Sequence, residues 1–127
     1  MVQSINLRKF TKYSLVAAVA NTVIYLVAKS SDATMVVNQG GSREISVFMV
    51  FGATIFGLLV AAYVANLIGK KSEGFVAKSP MIGLVFGIVT AVAPFTASDD
   101  SKTAFTLASN HIVAGAIWFY GVKRSIN

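Results

Sequence analysis

Four apolar stretches, residues 12–28, 45–69, 80–97 and 104–122, divide this 127-residue chain, and the short connections and chain ends hold nearly all of its charge. Each stretch is close to the ~20 residues a helix needs to cross ~30 Å of hydrocarbon. A bilayer offers no water to backbone N–H and C=O groups, so a spanning segment either closes its hydrogen bonds internally as a helix or joins a closed barrel. Barrel strands alternate apolar and polar residues over segments of about ten, and residues 47–64 show no such alternation. The expectation is an all-α membrane protein, an antiparallel four-helix transmembrane bundle forming a single domain over residues 1–127. At 55% hydrophobic and 13% charged, the composition departs from the soluble average in the same direction.

The placement of charge predicts orientation. Arg8, Lys9, Lys12, Lys70, Lys71, Lys78, Lys123 and Arg124 fall at one set of span ends with Glu73 as their sole acid. The other set has Lys29, Arg43 and Lys102 against Asp32, Glu44, Asp99 and Asp100. Short loops rich in Lys and Arg stay cytoplasmic, so both termini are expected in the cytoplasm of a cell whose cytoplasmic (inner) membrane the chain crosses several times. The basic end should favour anionic lipid at the cytoplasmic face, at ~1 kcal/mol per residue near the surface. Because the cations are spread over loops and not set on one face among aromatic residues, nucleic acid is not expected as a partner. The stretch before Ala18-Val19-Ala20 has the basic-then-apolar order of a secretory signal, but residues 13–17 are too short for its apolar region. The first stretch reads as an uncleaved span.

Among the connections, residues 30–42 are the longest; Gly40-Gly41 marks a turn, and Met35-Val36-Val37 should lie at the interface or cap the bundle. Pro80 suits the first turn of the third helix, where its missing N–H would be unpaired anyway. Ser98, Asp99 and Asp100 can cap the fourth. Phe10, Tyr13, Trp118 and Tyr120 fit an aromatic belt at the basic end, where Asn66 can reach the polar interface. The two halves of the chain show no convincing internal repeat.

Lipid supplies no hydrophobic drive between helices, so small residues that let backbones approach are the expected seams. Ala53 and Gly57 in the second stretch, Gly83 and Gly87 in the third, and Gly115 in the fourth form such faces. Helix packing is the simpler reading; a narrow pathway lined by one stripe is the other.

Polar side chains at mid-membrane depth narrow the search for a site. Asn21, Thr90, Asn110 and His111 lie within about two helical turns of one another along the membrane normal, at 1.5 Å per residue. Intramembrane Asn and His are costly unless paired with another helix or a cavity. The four are either a mid-membrane polar site, with His111 the one side chain there that titrates near neutrality, or interhelical hydrogen-bond glue. Pro94, one turn from the end of the third stretch, should kink that helix and free the carbonyl of Thr90.

Other chemistry has little to stand on. The chain has no cysteine, its single histidine has no neighbouring ligand set, and no acid or lysine lies inside a span. No metal and no cofactor is expected, and a lone imidazole without nucleophile or metal does not suggest an enzyme.

Val19-Ala20-Asn21, Ala93-Pro94-Phe95, Thr103, Ala108 and the run from His111 to Ala116 resemble a group of small four-helix, mostly actinobacterial, membrane proteins of unknown function. The opening from Arg8-Lys9-Phe10 to Tyr25 resembles the first helix of GtrA-like proteins, which are linked to polyprenyl-sugar translocation. The expected role is a structural or accessory subunit, self-associating as a homo-oligomer or bound to a larger membrane protein partner. The alternative is a channel or carrier for a small solute or lipid-linked sugar that uses the mid-membrane polar residues.

Overall fold

A computed structural model describes residues 2–127 and is mostly helical. In chain order it contains α1 (Leu7–Ser30), a hairpin of β1 (Val36–Asn38) and β2 (Ser42–Glu44), α2 (Val47–Gly69), α3 (Phe75–Thr90), the short α4 (Ala93–Ala97) and α5 (Ser101–Ser125). With α3 and α4 taken as one interrupted rod, there are four helices. Among the described residues three are long and apolar enough to cross a membrane: α1, α2 and the Phe75–Ala97 rod.

The fourth, expected as a span at residues 104–122, has the length at 25 residues, but Thr103, Thr106, Ser109, Asn110 and His111 dilute its apolar run. The physical reason is its position. α5 packs against α1, α3 and α4 and buries ten of its residues, whereas α2 buries five of 23. The polar Thr103, Thr106 and Asn110 are among those hidden. The outer surface is apolar instead: Phe48, Phe56 and Phe86 are 84, 69 and 68% exposed.

Helix boundaries depart from the apolar stretches at their polar ends. α1 begins at Leu7 because the side chain of Asn6 accepts from the N–H of Lys9, at 3.0 Å, so the basic Arg8 and Lys9 are already helical. α3 begins at Phe75, after Gly74 at φ +77°, which places Pro80 inside the helix and not in its first turn. An interior proline leaves the carbonyl four residues earlier without its partner. That carbonyl, of Val76, accepts from Ser79 Oγ at 2.7 Å, and the Ser79 carbonyl accepts from Trp118 Nε1, also at 2.7 Å. At Pro94 the helix does more than kink: α3 stops at Thr90, and Pro94 sits in the first turn of α4.

The two ends of the molecule are closed differently. At the terminal end, Ile5 bridges Ile126, and the Asn6 N–H donates to the Ser125 carbonyl at 2.8 Å. Asn66, which the sequence places at the polar interface, clamps this segment: its amide accepts from the Ile5 N–H at 2.7 Å and donates to the Ile5 carbonyl at 2.9 Å. Below this clamp Phe10, Ala17, Ala62, Ala65, Trp118 and Val122 form the main core, with the Phe10 and Trp118 rings edge-on at 5.4 Å.

At the other end the 30–42 connection folds over the helices as the β1–β2 hairpin, with Gly40 and Gly41 both at positive φ in its turn. Ala33 and Met35 are buried against Tyr25 and Val50. Met35 takes the left-handed φ of 55°, a conformation that a long side chain adopts only when its surroundings fix it. The Met35 N–H donates to Thr103 Oγ1 at 2.8 Å, and Ser98 Oγ donates to the Val36 carbonyl at 2.7 Å.

A lateral crevice between two helices

α2 packs mainly on α1 and α3 mainly on α5, so α2 and α3 diverge as they leave the turn that joins them. Between them lies a crevice of about 610 Å³ whose floor is α5. Its walls are made of small and apolar residues: Ala53, Gly57 and Ala61 on α2, Ile82 and Phe86 on α3.

The expected packing faces therefore separate into two kinds. Gly83, Gly87 and Gly115 lie where α3 meets α5. A Cβ on Gly87 would lie 2.8 Å from the His111 carbonyl oxygen and 2.9 Å from Gly115 Cα, and a Cβ on Gly83 would overlap the Trp118 indole. Backbones come this close only without side chains between them. Ala53 and Gly57 meet no helix: both are exposed, and a Cβ on Gly57 would find nothing within 4 Å. Their side of α2 faces the crevice.

Asn21, Thr90, Asn110 and His111 all line this crevice, as two hydrogen-bonded pairs. Asn21 Nδ2 donates to the Asn110 carbonyl at 3.2 Å, joining α1 to α5. Thr90 Oγ1 lies 3.1 Å from His111 Nδ1, joining α3 to α5. Thr90 Oγ1 also donates back to the Phe86 carbonyl at 2.7 Å, tying the hydroxyl to the last turn of α3. The carboxamide oxygens of Asn21 and Asn110, buried at 1 and 9% residue exposure, accept no hydrogen bond among the described residues. An unpaired buried acceptor costs about 1–3 kcal/mol, and both oxygens lie beneath the crevice surface, not on it.

Two further residues belong to the site, Thr54 with a signal in the sequence and Arg43 without one. Thr54 Oγ1 accepts from Asn21 Nδ2 at 3.1 Å and adds α2 to the polar group. Its signal was there: Thr54 is the only Ser or Thr within α2, at nearly the depth of Asn21. Arg43, on β2, lines the crevice at its hairpin end and is the only Lys, Arg, Asp or Glu that does. In the sequence it is one of three cations at the hairpin end, and nothing local distinguishes it.

Chemically the arrangement can hold an apolar body against α2, α3 and α5, and can offer polar partners near the hairpin end. Among the described residues no group of three His, Asp or Glu side chains is placed to bind a metal ion. Comparison with curated proteins and with solved structures finds no match. The model of a family of unknown function, DUF6069, matches residues 8–127, and the chain belongs to that family.

Proposed function

We propose that this is a four-span integral membrane protein that takes a hydrocarbon-bearing ligand sideways from the bilayer into the crevice between α2 and α3. The observation that carries the reading is the crevice itself. Ligand pockets typically have ~300–1,000 Å³, mostly apolar walls and a few convergent polar groups. The 610 Å³ space walled by Ala53, Gly57 and Phe86, with Asn21, Thr54, Thr90, Asn110 and His111 on one level, has all three properties. Its open side faces the direction from which a lipid would come, since the neighbouring Phe56 and Phe86 are exposed.

The bundle we propose is antiparallel, with both termini cytoplasmic and α5 as the fourth span. Pairs between α1 with the residues that lead into it and α2 with the residues that lead into it run in opposite numerical order, Ile5 with Asn66, Asn21 with Thr54 and Tyr25 with Ile45. The same holds for the α3–α4 rod and α5, where Ser79 meets Trp118, Thr90 meets His111 and Phe95 meets Phe105. α5 crosses with its polar residues turned inward. The Lys- and Arg-rich end is then the cytoplasmic one, in the cytoplasmic membrane of a bacterium.

A second reading has its own support. The exposed small-residue stripe of Ala53, Gly57 and Ala61 is also the kind of surface on which a helix of a second copy or of a larger membrane protein can sit. Mass spectrometry of the intact protein, purified in mild detergent, separates the two. The ligand reading expects a lipid-sized mass on each chain that is lost in Gly57→Leu, a change that puts a side chain into the open crevice at a point where an added Cβ meets nothing within 4 Å. A stoichiometric oligomer with no such mass, dissociated by the same substitution, overturns it in favour of the accessory subunit.

A further inference from the structure

The geometry points to an acidic phospholipid as the occupant of the crevice, its phosphate at Arg43 and one hydrocarbon chain lying between α2 and α3; this rests on the ligand reading above. The argument is one of charge. Arg43 is the sole formal charge on the lining, and it stands at one end of a trough whose other lining residues are uncharged and mostly apolar. Of the four acids at this end, Glu44 is engaged with Lys29 at 3.1 Å, Asp99 with the Asn38 amide, and Asp100 with Thr34 and Thr103, while Asp32 makes no ion pair among the described residues. No ion pair among the described residues involves Arg43. Its guanidinium is therefore free for an anion, and its planar fork suits a phosphate bound through two oxygens.

The rest of that end agrees with an anion. Ile45 and Met49, which flank the start of α2, also line the crevice, so the helix N-terminus with its partial positive charge faces the same mouth. Deeper in, Thr54, Thr90 and His111 line the same crevice and are partly exposed, so their polar atoms can meet the ester or hydroxyl groups of a glycerol backbone. Beyond them Gly57, Ala61 and Ile82 offer only apolar contact to a chain. An amphiphile of one polarity direction fits this sequence of surfaces; a headgroup without phosphate leaves Arg43 unmatched, and the ammonium of a zwitterionic one offsets the attraction that an acidic one keeps whole.

Photo-crosslinking tests this in vesicles of phosphatidylcholine. The full chain is reconstituted with a trace of phosphatidylglycerol, or of phosphatidylcholine, carrying a diazirine in one acyl chain, and adducts are located by peptide sequencing. The expectation is that the acidic probe labels crevice residues about fivefold more than the zwitterionic one, and that Arg43→Gln brings the two to equality. Arg43 is exposed on the hairpin, so this variant keeps the fold. An acidic preference that survives Arg43→Gln, or equal labelling by both probes in the native chain, overturns the assignment of the headgroup. If equal labelling is lost in Gly57→Leu, the crevice reading still stands. Labelling no denser in the crevice than at outward-facing Phe48 and Val89 overturns both.

Discussion

Asp100 shows how much one side chain at a helix start can organise. It is the N-cap of α5, and its carboxylate also accepts from the Thr34 N–H at 2.9 Å and from Thr103 Oγ1 at 2.6 Å. The Thr103 hydroxyl, followed by the Thr34 and helix-start N–H groups, pulls its pKa from the usual 3.8 down to about 2. A carboxyl lowered on folding stabilises the folded state fully above its unfolded pKa, and that contribution drains away as pH falls through the folded value. The hairpin cover should therefore hold unchanged from neutral pH to about 4 and weaken between there and about 2. Thr103→Val removes the main cause, so the Asp100 titration followed by carbon NMR should move up toward 3.8. An unmoved titration would mean that the backbone donors alone hold the carboxylate.

At the scale of helices, two glycine positions that look alike in sequence carry opposite expectations. Gly87→Leu must force α3 away from α5, because the space is filled by the His111 carbonyl and Gly115. Overpacking of this kind costs about 1–3 kcal/mol, and separation of the helices also breaks the Thr90–His111 pair. Gly57→Leu enters open space and should leave thermal stability in detergent within about 0.5 kcal/mol of the native chain. Equal losses at both positions would mean that the crevice is closed in the folded protein.

This contrast also marks how far the sequence could be read. Lipid imposes its demands along the chain, as length and apolarity, so the helical stretches are visible residue by residue. Packing imposes its demands across the chain: a glycine stripe reads the same whether it meets a helix or a gap. The hairpin was hidden for a related reason. Its strands are three residues each and are pinned by distant partners, Ser98 on Val36 and Thr103 on Met35. The interior placement of Pro80 depends likewise on Ser79, whose hydroxyl takes up the freed carbonyl. Asn21, Asn110 and His111 could be singled out because polar groups within apolar runs are rare; Arg43 could not, since an arginine in a polar connection has no such contrast.

For the whole molecule, the distribution of charge and the pairing of the termini make one joint claim. The N- and C-terminal segments are hydrogen-bonded to each other and to Asn66 at the end of α2. Whatever side one terminus occupies, the other must share it, and the 70–74 connection with them. That end holds eight cations against Glu73, while the hairpin end holds three against four acids, so the basic end should be cytoplasmic. The chain has no cysteine, which makes single-cysteine scanning direct. Gln39→Cys at the hairpin turn should react in intact cells with a membrane-impermeant maleimide. Ser72→Cys and Asn127→Cys should react only after permeabilisation. Reaction of Asn127→Cys from outside along with Gln39→Cys would place the ends of α5 on one side and remove it as a span. Reaction of Ser72→Cys and Asn127→Cys from outside while Gln39→Cys is protected would keep four spans but invert them, and would put Arg43 and the mouth of the crevice against the inner leaflet.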